Sequence, residues 1–470
     1  MSEVIMVAGP GVVVDPGLLA EVAEREFAAL GVRGELVHAR DMAHLRSLVT
    51  GGAVVLPGPS AEARDLIGQP LGPVIWVDIE RADGVTAGEG ATHLHGRGVS
   101  GVAWGIRHAV HRRRHPSRRV AYGPSPEQWG DLYVPAGAAP APVVALIHGG
   151  YWRSIWAADI MEPLCADLLG RGLAVWNLEY RRPDLHGWQA TTTDVATGLA
   201  TLATLAFTDP PALDPLTPQD TPTIDPSSAS GTSQDAPALG PLTPRDLATG
   251  SAVPPVRDAN ADGATGLGRG EDAGQDAASG LGGGAGRGAA SGRGEGAGRG
   301  AAEGREVGRG RGAGGVAAAV VGGSVLDLSR VAVVGHSAGA QLALRAVADG
   351  VRVALVVSLA GVLDLVEGDR RWLSSGAVPA ALGHRSTQEP GVYADASPLL
   401  RVPLGAPQLI VQGADDDLDL VDFSRRYARA AQQAGDKAKY LEMPGDHFAV
   451  ITPATPIWQA TAQAIATALR

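Results

Sequence analysis

The stretch AVVGHSAGAQLAL, residues 332–344, decides how this chain is read. Residues 331–334 (Val-Ala-Val-Val) form a short apolar run of the kind that makes a buried strand. Gly335-His336-Ser337-Ala338-Gly339 follows, and Leu342, Leu344 and Val347 then continue with helical spacing. Strand, small-residue turn and helix make up the G-x-S-x-G pattern. In it a serine stands on a strained turn with its hydroxyl presented as a nucleophile. The glycines answer a steric need, because side chains on either side of the serine would collide with strand and helix. A chain with 65 glycines can spell an ordinary turn the same way, so the reading depends on finding the partners a serine nucleophile requires.

Those partners are a base within reach, a carboxylate that orients the base, and donors for a developing oxyanion. In ALIHGGYWRS, His148-Gly149-Gly150-Tyr151-Trp152 directly follows an apolar run. Paired glycines there let backbone amides approach a substrate oxygen, so Gly149, Gly150 and Tyr151, with Ala338 after the serine, are the candidate oxyanion donors. In LIVQGADDDLDLVD the candidate acid is Asp416, with Asp415 as the alternative. In EMPGDHFAVITP the candidate base is His447. The chain order Ser337, Asp416, His447 is one of the orders in which such triads occur. Tyr151 and Trp152 are candidates for stacking on an aryl group of a substrate, or else for the core.

Composition narrows the setting. A formal net charge of −11 argues against a general nucleic-acid binder. Cys165 is the single cysteine, so no internal disulfide forms. The first residues lack a basic region followed by a long apolar run, and no 18-residue apolar stretch occurs, so a soluble cytoplasmic protein without membrane contact is expected. No cofactor or metal is expected. Three kinds of sequence alternate. Residues 1–110 read as a small α/β domain, and His111 to Arg119 (HRRRHPSRR) as a basic linker. Residues 120–208 and 323–470 read as a second α/β domain. Between its halves, residues 209–322 are first rich in Pro, Thr and Asp and then in Gly, Ala and Arg. They are expected to be a disordered insertion dispensable for chemistry.

With these residues in hand, residues 120–208 and 323–470 resemble the α/β-hydrolase superfamily, and within it the kynurenine formamidase-like branch and its bacterial esterase relatives. The matching pieces are HGGYW at 148–152, NLEYRR at 177–182, GHSAG at 335–339, the aspartate loop at 413–417 and GDHF at 445–448. The resemblance implies an eight-stranded, mostly parallel sheet flanked by helices, with Ser337, Asp416 and His447 as the triad. Gln412, where relatives often carry His, and Ala340, where Gly is commoner, depart from the pattern.

The first domain resembles type II 3-dehydroquinate dehydratase, a flavodoxin-like fold, through VAGPG at 7–11, VVLPG at 54–58, PVIWVDI at 73–79 and GVSGVAWGIRHA at 98–109. That family's functional positions are occupied here by Gly11, Leu56, Trp76 and Asp78, which supply neither the base nor the donors the reaction needs. The resemblance therefore implies a catalytically dead copy, kept as a fold and for self-association.

Two functions follow from different classes. One is a serine hydrolase acting on a small aryl formamide or short-chain ester, with a carbohydrate-side-chain acetyl or feruloyl esterase as its variant. The other is a non-catalytic scaffold. A vestigial site loses its chemistry, as the first domain has, whereas the second domain keeps a candidate for every role.

Overall fold

Short apolar runs alternating with helices build one parallel and one mostly parallel sheet. The computed structural model describes residues 3–79, 85–136, 140–205 and 326–470, and all of these fall in one compact unit. The expected insertion at 209–322 lies outside the described residues.

The first sheet holds β1 (Val4–Ala8), β2 (Gly34–His38), β3 (Val54–Leu56), β4 (Ile75–Asp78) and β5 (Thr92–His95) in the order β2-β1-β3-β4-β5, all parallel. This is the flavodoxin-like order. The helix Pro16–Leu30 starts on an Asp15 cap and stops at Gly31, whose φ of 62° suits a left-handed terminator.

The second sheet holds β6 (Arg118–Ala121), β7 (Trp129–Tyr133), β8 (Ala141–Ile147), β9 (Ala174–Leu178), β10 (Leu326–His336), β11 (Leu355–Leu359), β12 (Gln408–Gly413) and β13 (Ala438–Met443). Their order is β13-β12-β11-β10-β8-β9-β7-β6. β7 pairs antiparallel with both β6 and β9, and every other pairing is parallel. Counted from β6 the order reads 1-2-4-3-5-6-7-8, the α/β-hydrolase arrangement. β8, β10, β12 and β13 run the same way, so the loops after them gather at one edge of the sheet. The chain leaves the helix Trp188–Leu205 and is described again from Leu326, at the start of β10 and the far end of that strand from Ser337.

The span expected as a basic linker, 111–119, is divided between two elements. The helix Ser100–Arg114 runs to its end there, and β6 begins at Arg118. That helix joins the two sheets. It is buried nearly all round, as a helix held between two layers must be. Gly105 lets it approach β4, where an added Cβ would lie 2.4 Å from Val77. One continuous apolar core results, with Met6, Val54 and Ile106 from the first sheet's side and Val144, Leu164 and Trp458 from the second.

Polar pairs fix the register of this junction. Arg97, just before the helix, donates to both carboxylate oxygens of Asp159 at 2.6 and 2.8 Å and to the Ile155 carbonyl at 2.7 Å. Burial opposes the charge on Asp159, but the guanidinium more than offsets it and holds the carboxyl below its ordinary range. His108 and Glu162 pair at 2.7 Å, both buried. Removing Arg97 strands the buried Asp159 carboxylate, and loss of one partner of a buried ion pair costs about 3–5 kcal/mol. Arg97→Ala is therefore expected to lower unfolding stability of the full chain by roughly that amount, read from urea denaturation. A loss indistinguishable from that of an exposed arginine such as Arg113→Ala would show that the pair does not hold the two sheets together.

Candidate active site

β10 ends at His336, and the helix Ala338–Ala348 begins one residue later. Ser337 makes the turn with φ 56° and ψ −119°, a conformation that costs a non-glycine residue about 1–3 kcal/mol. The sequence around it explains how the turn closes. A Cβ on Gly335 would lie 2.1 Å from the Gly339 carbonyl oxygen, and one on Gly339 would lie 2.2 Å from the Ile147 carbonyl oxygen at the end of β8. Both positions therefore exclude any side chain. The Ser337 amide donates to Leu359 at 2.8 Å, while its hydroxyl is buried and makes no hydrogen bond among the described residues. The Ala338 amide opens the helix, where the first amides have no partner in the helix itself.

The loop after β8 lies against this turn. A Cβ on Gly149 would come within 2.7 Å of the Ser337 Cβ, so glycine there lets the loop touch the candidate nucleophile. Gly150, Tyr151 and Trp152 follow with φ of 107°, 50° and 58°. The amides of Gly150 and Tyr151 donate to no acceptor among the described residues. Tyr151 is half-buried, and burial, with Asp417 and Asp416 adding to it, pushes its hydroxyl pKa up. For Trp152, left open between an aryl contact and the core, the structure gives the core. Its side chain is fully buried, donates to Gln341 at 3.1 Å and meets Trp188 edge-on, so it presents no face to a substrate.

Of the two aspartates considered, the structure brings Asp416 to His447. His447 Nδ1 lies 2.9 Å from Asp416 Oδ2. Asp416 also accepts from Gln412 Nε2 at 2.8 Å and from the Asp417 amide at 2.7 Å. Burial works to raise its pKa, but the nearby His447, that histidine's hydrogen bond and the two further donors prevail and hold the carboxyl below its usual value. A neutral His447 that donates from Nδ1 to an ionised Asp416 leaves Nε2 as an acceptor, the form a general base needs. Asp415 is exposed and instead accepts from the Gly445 amide at 2.9 Å, bracing the loop that carries His447.

Several supporting residues were quoted from the sequence without a role, or not at all. Gln412, noted only as a departure, orients Asp416 and is itself fixed by Ser424 at 2.7 Å. NLEYRR supports the glycine loop. The Tyr180 ring stacks on His148 at 4.4 Å and its hydroxyl donates to the His148 carbonyl at 2.8 Å. Glu179 faces His148 Nε2 at 3.2 Å, pairs with Arg182, and accepts from the Ala158 amide at 2.8 Å. His336 donates from Nε2 to the His447 carbonyl at 3.0 Å, and burial lowers its pKa to about 3, so it stays neutral. Tyr180, Glu179 and His336 owe their roles to partners 21 to 111 residues away, which no local pattern displays.

No group of three His, Cys, Asp or Glu among the described residues is placed to hold a metal ion, and no described helix is long and apolar enough to cross a membrane.

Residues 314–466, which include Ser337, Asp416 and His447, match the family described as the prolyl oligopeptidase family. No curated protein matches the chain. Among solved structures it is similar to a bifunctional GH43-CE protein of Bacteroides eggerthii, at 13% identity and a TM-score of 0.45, covering 75% of this chain and 35% of that one. A bacterial heroin esterase is similar at 18% identity and a TM-score of 0.44, covering 75% of this chain and 84% of that one. A carboxyl esterase of the fungus Tuber melanosporum is similar at 13% identity and a TM-score of 0.44, covering 76% and 88%. This chain thus spans about a third of the length of the Bacteroides protein. The α/β-hydrolase fold of the second sheet stands on its strand order, and these likenesses add no argument about activity.

The two aspartates give a ranked expectation. Asp416→Asn removes the charge that orients His447 and should lower kcat by several orders of magnitude, whereas Asp415→Asn should lower it less than tenfold. Steady-state hydrolysis of p-nitrophenyl acetate measures both, and the reverse ranking would move the acid to Asp415.

Proposed function

We propose that the second domain is a serine hydrolase that cleaves a short-chain ester or an aryl formamide, with Ser337 as nucleophile, His447 as base and Asp416 as its orienting acid. The observation that carries this reading is the meeting, at one sheet edge, of three things. They are a serine hydroxyl bonded to nothing, a histidine tied through Nδ1 to an ionised aspartate, and backbone amides without acceptors.

The chemistry then runs in two halves. Ser337 Oγ adds to the substrate carbonyl carbon while His447 Nε2 takes the hydroxyl proton. The carbonyl electron pair moves onto oxygen, where the amide of Ala338 and that of Gly150 or Tyr151 stabilise it; one such donor is worth about 10²–10³ in rate. Collapse expels the alcohol or amine, which takes the proton from His447 and leaves an acyl-serine. Water next adds to the acyl carbon and gives its proton to His447. Ser337 Oγ leaves and recovers that proton, and the acid is released. The start of the helix Ala338–Ala348 adds a favourable dipole at the oxyanion.

Ser337→Ala is expected to abolish both hydrolysis of p-nitrophenyl acetate and labelling by a fluorophosphonate. Full labelling of that variant would remove Ser337 from the role. Absence of labelling in the unaltered protein would favour the scaffold reading. A panel of N-formylkynurenine, acetyl, butyryl and feruloyl esters and a prolyl p-nitroanilide separates the formamidase, esterase and peptidase chemistries by kcat/KM.

For the first domain we infer a fold without dehydratase chemistry. Trp76 is fully buried in the core on one face of the first sheet, and Leu56 is buried in the core on the other. Asp78, the one side chain of the four able to accept a proton, is buried and pairs with Arg64 at 2.8 Å. Arg64 offsets the charge that would repel an anionic substrate, yet it also occupies the carboxylate. No dehydroshikimate should form from 3-dehydroquinate in a direct absorbance assay, and turnover lost on Asp78→Ala would overturn this.

A further inference from the structure

The hydrolase chemistry proposed above needs His447 and the glycine loop held still, and both are backed by the first domain. Phe448, next to His447, meets the His447 ring edge-on at 5.5 Å and lies 5.9 Å from the His336 ring. On its other side stands Trp104, from the helix Ser100–Arg114, at 6.3 Å between ring centroids. The same indole meets Trp156 edge-on at 6.1 Å. Trp156 in turn lies against the glycine loop, since a Cβ on Gly150 would be 2.4 Å from its Cβ. One tryptophan of the first domain thus touches both residues that back the candidate base and the candidate oxyanion donors.

Its own position is fixed. The Arg107 guanidinium sits 5.4 Å over the Trp104 ring and is held by Glu26 through bonds of 2.7 and 2.9 Å. Segment 155–159 is clamped from both sides. Arg97 of the first domain takes Ile155, Asp159 and the face of the Trp156 ring, at 4.8 Å. Glu179 and Asn177 of the second take the Ala158 amide and carbonyl, at 2.8 and 2.9 Å. Aromatic contacts of this kind fix ring orientation as well as burying area, and small misplacement of a catalytic group is costly in rate.

We infer that the first domain is a positioning element of the hydrolase site, and that Trp104 is the residue through which it sets Phe448 with His447 on one side and Trp156 with the Gly150–Tyr151 amides on the other. This rests on the serine-hydrolase reading. It gives the first domain a role in the second domain's chemistry that needs no ligand or activity of its own.

The test compares two variants of the same helix in the full chain. Trp104→Ala removes the contact to the catalytic loops. His108→Gln, one turn on, breaks the His108–Glu162 pair in the same junction and touches neither loop. Kinetics on p-nitrophenyl acetate are taken per folded site, counted by circular dichroism and thermal melting. Trp104→Ala should lower kcat at least tenfold with KM changed less than twofold, and slow fluorophosphonate labelling in step. Trp104→Phe should recover kcat to within threefold. His108→Gln should lower Tm while lowering kcat less than threefold, far less than Trp104→Ala does. Should Trp104→Ala fail to fold, Trp104→Leu, which keeps a larger apolar side chain than alanine and removes the ring, is read in its place. The inference is overturned if kcat per folded site is unchanged, or if both variants lose kcat in proportion to Tm. An unaltered protein that neither labels nor hydrolyses would instead sink the hydrolase reading itself.

Discussion

Around Ser337 the main chain comes closer to itself than any Cβ permits, and the candidate site is built outward from that approach. Gly335 faces Gly339, Gly339 faces the end of β8, and Gly149 faces Ser337 itself. The Ser337 turn is thus fixed largely by backbone against backbone, while Trp156 and Tyr180 back the glycine loop beside it. Groups held in this way need little reorganisation as charge develops, which is where electrostatic stabilisation gains its size. The strain at Ser337 is tolerated because β10 is central in its sheet, flanked by β8 and β11 and buried along its length toward the turn.

This constraint is local, and so it was legible. A glycine forced by a clash appears in the sequence at fixed spacing, and GHSAG and HGG could be read with their chemistry. The strands leading into these loops were legible as apolar runs for the same reason. What escaped the sequence depends on distant partners. β6 reads as RRVA at the end of a basic stretch, and only pairing with β7, together with Arg119 closing on Asp131, makes it a strand. β2 is half-exposed and β5 short, so neither carries a strong apolar signal. Arg97, Asp159, His108 and Glu162 drew no reading, because partners 54 to 62 residues apart in the chain leave no local pattern. Of the two aromatics after HGG, burial took Trp152 into the core, while Trp156, four residues on, became the ring against the loop.

The junction between the sheets is a continuous apolar core crossed by polar pairs. Two apolar faces can slide by fractions of an ångström at little cost. A bidentate guanidinium–carboxylate pair allows one register. The fold uses apolar burial along the helix Ser100–Arg114 to hold the sheets together and the Arg97–Asp159 and His108–Glu162 pairs to say where. A basic stretch that looked like a tether is, in its first half, the continuation of that helix.

The helix Trp188–Leu205 and the start of β10 at Leu326 flank the long break in the described chain. Leu326 is eleven residues before the end of its strand, counting both ends, and the reactive turn lies beyond that end. The sheet therefore separates two kinds of tolerance. Along the edge that gathers the loops after β8, β10, β12 and β13, a single added carbon is forbidden at Gly149, Gly335 and Gly339. At the opposite edge the described chain stops at Leu205 and resumes at Leu326, with 120 residues of sequence between them. A molecular engineer who wants to splice a reporter into the middle of the sequence would begin at Leu205 and Leu326, the two described ends that open away from the catalytic edge.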